Sequence, residues 1–355
     1  MTYCLGWKNN NRVFLISDTA ATTHQTGIYR INKATSSLGE PTLEVNGKFV
    51  EELLHKQFNI HDELIITYAG DVALALEVID TIKKYYHYNP PFKTIELAID
   101  SVRDYGLEKI DLQLLLGFKL GNDINFYTFN YNLSGQLEVV HDNILVQIGS
   151  MSSSATAQLA KKMFYQHIIK HVQPQKQFYQ MLSFCQHFGI HDYTFSKFAG
   201  GIYTGLYMDT NGSHWGDDSS IILYNRNLID PTKIAVVARI NQFVRNNCLT
   251  ISSSITGDGE FFIDSKNHEV YQSLALQEQL REEHIHFLPK VVIYLAVDER
   301  MISVIYLSKH RVNPHFYEEN VNGKISTQLT GNFITLLKGG FYPTKNLFYI
   351  YWDEY

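Results

Sequence analysis

The chain has 355 residues, 30 of them basic and 36 acidic, for a formal net charge of −6. That balance gives no basic footprint for nucleic acid and no polybasic patch for a membrane surface. With 45% hydrophobic and 19% charged residues, the composition is that of a folded globular protein with room for two domains.

Three scattered cysteines, Cys4, Cys185 and Cys248, make neither a disulfide framework nor a zinc motif. The first residues lack the charged and apolar regions of a secretory signal, and no run of about 18 apolar residues could span a membrane. The expectation is a cytoplasmic protein that needs no cofactor or metal.

In chain order, Thr2–Trp7 and Arg12–Ser17 are β-rich and flank the polar stretch Lys8-Asn9-Asn10-Asn11, which predicts an opening hairpin. Thr19–Ser37 reads as loop. Gly47–Gln57 shows helical spacing through Phe49, Leu53 and Leu54. Glu63–Tyr68 reads as a strand. It leads through Ala69-Gly70 into a helix over Asp71–Tyr86 capped by Asp71, and a second helix covers Thr94–Tyr105.

Strands follow at Asp111–Lys119, Asn125–Asn130, Gln136–Val140 and Ile144–Ile148. A long helix then runs to about His171 and another covers Pro174–Phe188. Gly201–Met208 and Ser219–Tyr224 are strands. The order of strands, helices, strands, helices and strands predicts an α+β layered domain over 2–228. Asp230-Pro231 opens a β-rich extension, 229–355, with strands at Val291–Val297, Met301–Leu307, Asn332–Leu337 and Leu347–Trp352 and one helix at His268–Glu283.

A hairpin centred near Asn10 would bring Thr2 opposite Asp18. Thr2 is small enough for an aminopeptidase to remove Met1, which leaves a residue that holds a nucleophile and a base together. Its hydroxyl attacks, and its α-amine, with an ordinary pKa of roughly 7.7–8.0, takes the proton. A nearby lysine keeps that amine neutral, with Asp18 orienting the lysine. Lys33 is the first candidate for that role and Lys48 the fallback.

The opening Thr2-Tyr-Cys-Leu-Gly-Trp, with Val13-Phe-Leu-Ile-Ser-Asp18-Thr-Ala-Ala-Thr, resembles the start of proteasome β-subunits. Those proteins open with Thr and a hairpin, and carry Asp sixteen residues after the nucleophile. The Met-Thr-Tyr-Cys start resembles most the bacterial ancestral β-subunit. Leu64–Asp71, Val146–Ser150 and Ala199-Gly200-Gly201 are similar to later family landmarks, in the family's order.

The resemblance covers about residues 2–228. It implies a four-layer αββα sandwich of the N-terminal-nucleophile hydrolase type. It further implies a threonine hydrolase acting on peptides through an acyl-enzyme, self-assembly into rings or helices, and a role for Ser150 in assisting Thr2. The catalytic set is then Thr2, Asp18, Lys33 and Ser150.

The chain departs from active family peptidases at Ser196 and Ala199, where they carry an Asp and a Ser beside the Gly-Gly pair. Two alternatives therefore stay open: an inert assembly subunit, with 229–355 contacting a partner protein, and an amidase acting on a small amide.

Other candidates have plainer readings. Ser150 also fits a helix cap shared with Ser152–Ser154. His284 and His286, beside Glu282 and Glu283, are a thin ligand set for a metal. Thr256–Gly259 fits a hairpin turn, and Cys4, inside a strand, fits packing.

Overall fold

A computed structural model describes residues 2–23, 36–40, 44–45, 47–52, 54–86, 88, 91–103, 110–170, 173–191, 199–225, 234–245, 248–255, 260–264, 289–297, 301–307, 316–321, 324–339 and 348–354. The first strands are β1 Cys4–Asn9, β2 Arg12–Asp18, β3 Ala20–Thr23, β4 Glu44–Val45, β5 Lys48–Glu52, β6 Gln57–Ile60 and β7 Leu64–Gly70. Helices α1 Val72–Tyr85 and α2 Pro91–Arg103 follow, then β8 Leu112–Leu120, β9 Asp123–Asn130, β10 Leu137–Val139 and β11 Leu145–Ile148. Next come α3 Ala155–Met163, α4 Pro174–His191, β12 Tyr203–Asp209, β13 Gly212–Trp215 and β14 Ser219–Asn225.

The remaining elements are β15 Ala235–Arg245, β16 Cys248–Ser253, β17 Glu260–Asp264, β18 Val291–Ala296 and β19 Met301–Leu307. They end with β20 Phe316–Val321, β21 Lys324–Leu329, α5 Gly331–Gly339 and β22 Phe348–Glu354. The fold is mixed α+β with mostly antiparallel sheets. It divides into two units. One is Met1–Thr22, His55–Phe178 and Lys197–Trp215; the other is Thr23–Leu54, Tyr179–Ser196 and Gly216–Tyr355.

In the first unit, two five-stranded sheets have the orders β11-β1-β2-β12-β13 and β10-β9-β8-β7-β6. Every pairing within them is antiparallel. Cys4, Val13, Leu15, Leu206 and Met208 of one sheet share a core with Ile65, Leu115, Ile124 and Phe126 of the other. The opposite side of the first sheet is buried too. Trp7 stacks on Phe14 at 4.8 Å and meets Phe164 edge-on at 5.6 Å. Its indole N–H donates to Gln177 Oε1 at 3.3 Å. The unbroken apolar runs of β1 and β2 follow from this: a strand covered on both sides has no polar side to alternate with.

The β1–β2 turn is Asn10-Asn11, with φ of 47° and 57°. Asparagine tolerates that left-handed region, and two such residues make the tight turn whose twist suits a hairpin. Asn11 also ties the hairpin to the neighbouring sheet: its amide donates to Asn122 O at 2.7 Å and its Oδ1 accepts from Ile124 N–H at 2.9 Å.

In the second unit, a seven-stranded sheet has the order β17-β16-β15-β14-β18-β19-β22. Only β14–β18 and β19–β22 pair in parallel. Ile222, Tyr224, Val292 and Tyr294 pack with Leu329 and with Phe333 of α5.

Several sequence expectations change. The helix expected over Gly47–Gln57 is instead β5, followed by coil and the start of β6. Val45 pairs with Lys48 across the Asn46-Gly47 dipeptide, a hairpin signal that outweighs the spacing of three apolar residues. The strand expected at Asn332–Leu337 is α5, because Thr330 starts a helix: its Oγ1 accepts the Phe333 N–H at 3.4 Å.

The helix expected to reach His171 passes from α3 into a π turn at Phe164–Ile168. The second helix starts at Pro91, since proline needs no N–H at a first helical position. The helix expected at His268–Glu283, together with His284, His286, Thr256–Gly259 and Asp230-Pro231, lies outside the described residues. Among the described residues, no helix is long and apolar enough to cross a membrane, and no group of three or more His, Cys, Asp or Glu is gathered to hold a metal.

Candidate active site

Residue by residue, β1 and β2 pair with Cys4 opposite Ser17 and Asn9 opposite Arg12. The Asp18 N–H accordingly donates to Tyr3 O at 3.2 Å. The sequence expectation paired Asp18 with Thr2. The two-residue turn moves the register by one, so Asp18 lies across from Tyr3 and Thr2 lies one residue further along.

Asp18 is fully buried, with Tyr203 of β12 paired on its other side. Its Oδ1 accepts from Lys56 Nζ at 2.5 Å, and its Oδ2 accepts the Gly200 N–H at 2.7 Å. Burial pushes the carboxyl above the usual carboxylate range, opposed by the Lys56 ammonium and by backbone hydrogen bonds from Gly200 and Tyr3. A contact that short to an ammonium, with peptide N–H groups added, is the arrangement in which a carboxylate stays ionised against the push of burial.

Lys56 is 1% exposed. Its carbonyl accepts the Thr67 hydroxyl at 2.9 Å, which fixes the residue just before β6 against β7. Lys56 is the functional candidate that sequence reasoning missed. Reading Gly47–Gln57 as one helix conceals it, and no local cue ties it to Asp18, 38 residues away. Lys33 and Ser196 lie outside the described residues. Lys48 is exposed on β5.

Thr2 is 6% exposed, and its N–H points to Ser150 Oγ at 3.4 Å. Ser150 follows Gly149, whose φ is +95°. A Cβ at Gly149 would stand 2.1 Å from the Thr2 carbonyl oxygen, so only glycine lets the turn come so close to Thr2. The cap of α3 is Ser154, which accepts the Ala157 N–H at 3.1 Å, and Ser150 lies outside that cap.

Gly200 holds another left-handed position, φ +106°. From there it presents its N–H to Asp18 and its carbonyl to the Thr19 and Ala20 N–H groups at 3.2 and 3.1 Å. Ala199 is fully buried. Cys4 is buried as well, its thiol directed at Tyr68 O at 3.3 Å. Burial and the Asp18 charge push that thiol up to about 12, which suppresses the thiolate.

The structure thus brings Ser150 to Thr2, and Lys56 to Asp18 at the β2 end that faces Tyr3. Comparison of the chain with protein-family models and with curated proteins finds no match.

Proposed function

We propose that the chain is a threonine hydrolase of the proteasome β-subunit type, a peptidase that cleaves amide bonds with Thr2 as nucleophile. The observation that carries this reading is the buried Asp18–Lys56 ion pair beside the start of β1. It requires removal of Met1, so that the Thr2 nitrogen is an amine.

The Thr2 hydroxyl adds to the substrate carbonyl and its proton passes to that amine. The C–N bond then breaks as the proton moves to the leaving nitrogen, giving an acyl-enzyme. Water repeats the sequence in reverse roles and frees Thr2. Lys56, held by Asp18, disfavours a second positive charge on the amine and so keeps it a base. In this reading Lys56 fills the role that the sequence offers to Lys33, and Ser150 Oγ relays the proton at the Thr2 nitrogen.

The four-layer αββα arrangement belongs to the same proposal. It is supported by the burial of both sides of the β1–β2 sheet and by the aromatic contacts of Trp7 with the segment after α3. Self-assembly into closed or helical arrays belongs to it too.

Ala199 favours a second reading, a non-catalytic subunit of the same fold that serves assembly, with residues 229–355 contacting a partner protein. Its methyl group provides no hydrogen bond where active family members have a serine hydroxyl.

Two measurements on the purified chain decide between the readings. Intact mass is expected to show loss of one methionine. A peptide electrophile that captures the hydroxyl and the amine of an N-terminal threonine together is expected to label the wild type and not Thr2→Ala. Retained Met1, or equal labelling of both proteins, overturns the catalytic reading. Met1 removed with no labelling supports the assembly subunit.

A further inference from the structure

One side chain of the first unit reaches from one sheet to the turn that carries Ser150. Gln113, on β8, accepts the Gly149 N–H on its Oε1 at 3.1 Å. Its amide nitrogen donates to Asp111 Oδ1 at 3.5 Å, so the amide is oriented from both ends. Gly149 is the residue whose missing Cβ lets the turn lie against the Thr2 carbonyl. Ser150, next in the chain, accepts from the Thr2 nitrogen. The contacts run in series from Gln113 through Gly149 and Ser150 to Thr2.

The strand before this turn is fastened separately. Gln147 donates through Nε2 to Tyr3 Oη at 3.0 Å and to Ala157 O at 2.9 Å. Position 147 is therefore held by contacts that do not involve Gln113. What Gln113 adds is the orientation of the Gly149 peptide, in a left-handed conformation with little steric preference of its own.

We propose that Gln113 is a positioning residue: its amide oxygen holds the Gly149–Ser150 turn so that the Ser150 hydroxyl meets the Thr2 nitrogen. The proposal rests on the reading of Thr2 as nucleophile, and it adds a residue from the second sheet to the support of that site.

Two variants of the full chain test it. Gln113→Leu removes the acceptor at similar bulk. Gln113→Glu, made together with Asp111→Asn, keeps an acceptor oxygen at the same reach while leaving a donor at position 111 and no facing pair of carboxylates. Two readouts apply: hydrogen exchange of the peptide spanning Gly149, and the pH profile of labelling by the threonine-directed electrophile. Gln113→Leu is expected to speed exchange at the turn, to slow labelling about tenfold or more through misplacement at the nitrogen, and to shift the pH profile. Gln113→Glu with Asp111→Asn is expected to restore protection and most of the rate.

Unchanged exchange in Gln113→Leu, or unchanged labelling with an unchanged profile, overturns the role of Gln113 while leaving Thr2 standing. An unlabelled wild type overturns the Thr2 reading and this proposal with it.

Discussion

The first unit keeps a buried ion pair, whereas burial moves two groups of the second unit towards their neutral forms. In the first unit, Asp18 and Lys56 are almost entirely out of solvent and meet at 2.5 Å as a charged pair. In the second, two groups, the buried His187 and the half-buried Glu40, are pushed towards neutrality. Burial, with His191 close by, pushes His187 down to about 3, and burial pushes the Glu40 carboxyl up to about 7. Neutralising a group is the ordinary answer to desolvation. Keeping two charges inside is costly, and a well-packed apolar pair of similar volume is often at least as stable. A buried pair next to Thr2 is therefore weak evidence about stability and better evidence about role. That difference is why the proposed chemistry is assigned to the first unit.

The sharpest way to break the comparison is to remove one member of the pair. Lys56→Met strands the Asp18 carboxylate and is expected to cost about 3–5 kcal/mol in urea unfolding. Combining it with Asp18→Asn should recover much of that stability, because no lone charge remains. Labelling at Thr2 should stay abolished in the double variant. If it returns with the recovered fold, the pair is structural and the site reading fails.

The next effect belongs to the second unit. His187 Nε2 lies 3.1 Å from Ala296 O, and His191 Nε2 lies 3.3 Å from the same oxygen, which accepts from both rings. The folded-state pKa of His187 lies below its unfolded value. Its contribution is thus complete above about pH 6.5 and is lost as pH falls, by roughly 3 kcal/mol at about pH 4. His187→Gln is expected to flatten that acid limb in denaturant titrations at several pH values. An equally steep limb in the variant would assign the acid sensitivity to other groups.

How far each region was legible in the sequence depends on how local its determinants are. The opening hairpin and the carboxylate that ends it could be read from the polar run Lys8-Asn9-Asn10-Asn11 and a strand-end position, whereas the Gly149-Ser150 turn is only implied by the family resemblance. The register was wrong by one residue, since the period of the strands does not reveal which two asparagines make the turn. Lys56 was not legible. Its meeting with Asp18 spans 38 residues and depends on where β6 pairs with β7. The helical spacing of Phe49, Leu53 and Leu54 competes with the Asn46-Gly47 signal, and the hairpin signal is the stronger of the two. A similar misreading turned α5 into a strand, because the capping role of Thr330 outranks the run of apolar residues behind it.

The smallest expected effect also lies in the second unit, at Glu40. Its Oε2 accepts the Ser36 hydroxyl at 3.1 Å. Burial is the larger cause of its raised pKa and the negative charge of Glu52 a smaller one, with the Ser36 bond opposing both. Here the folded-state value lies above the unfolded one, so the sign is the reverse of that for His187. The folded state holds the extra proton, and the contribution is complete below about pH 4.5 and declines as pH rises towards 7, by about 1–3 kcal/mol. Glu40→Gln mimics the protonated carboxyl and is expected to raise stability at about pH 8 while changing little at about pH 4. Because His187 loses stability over the acid side of the same range, wild-type stability should pass through a shallow maximum between the two limbs. The double variant His187→Gln/Glu40→Gln should then lose both of these limbs and show a flatter response between about pH 4 and 8. A maximum that survives in the double variant would show that the second unit does not set the pH response, and the contrast with the charged pair of the first unit would have to be redrawn.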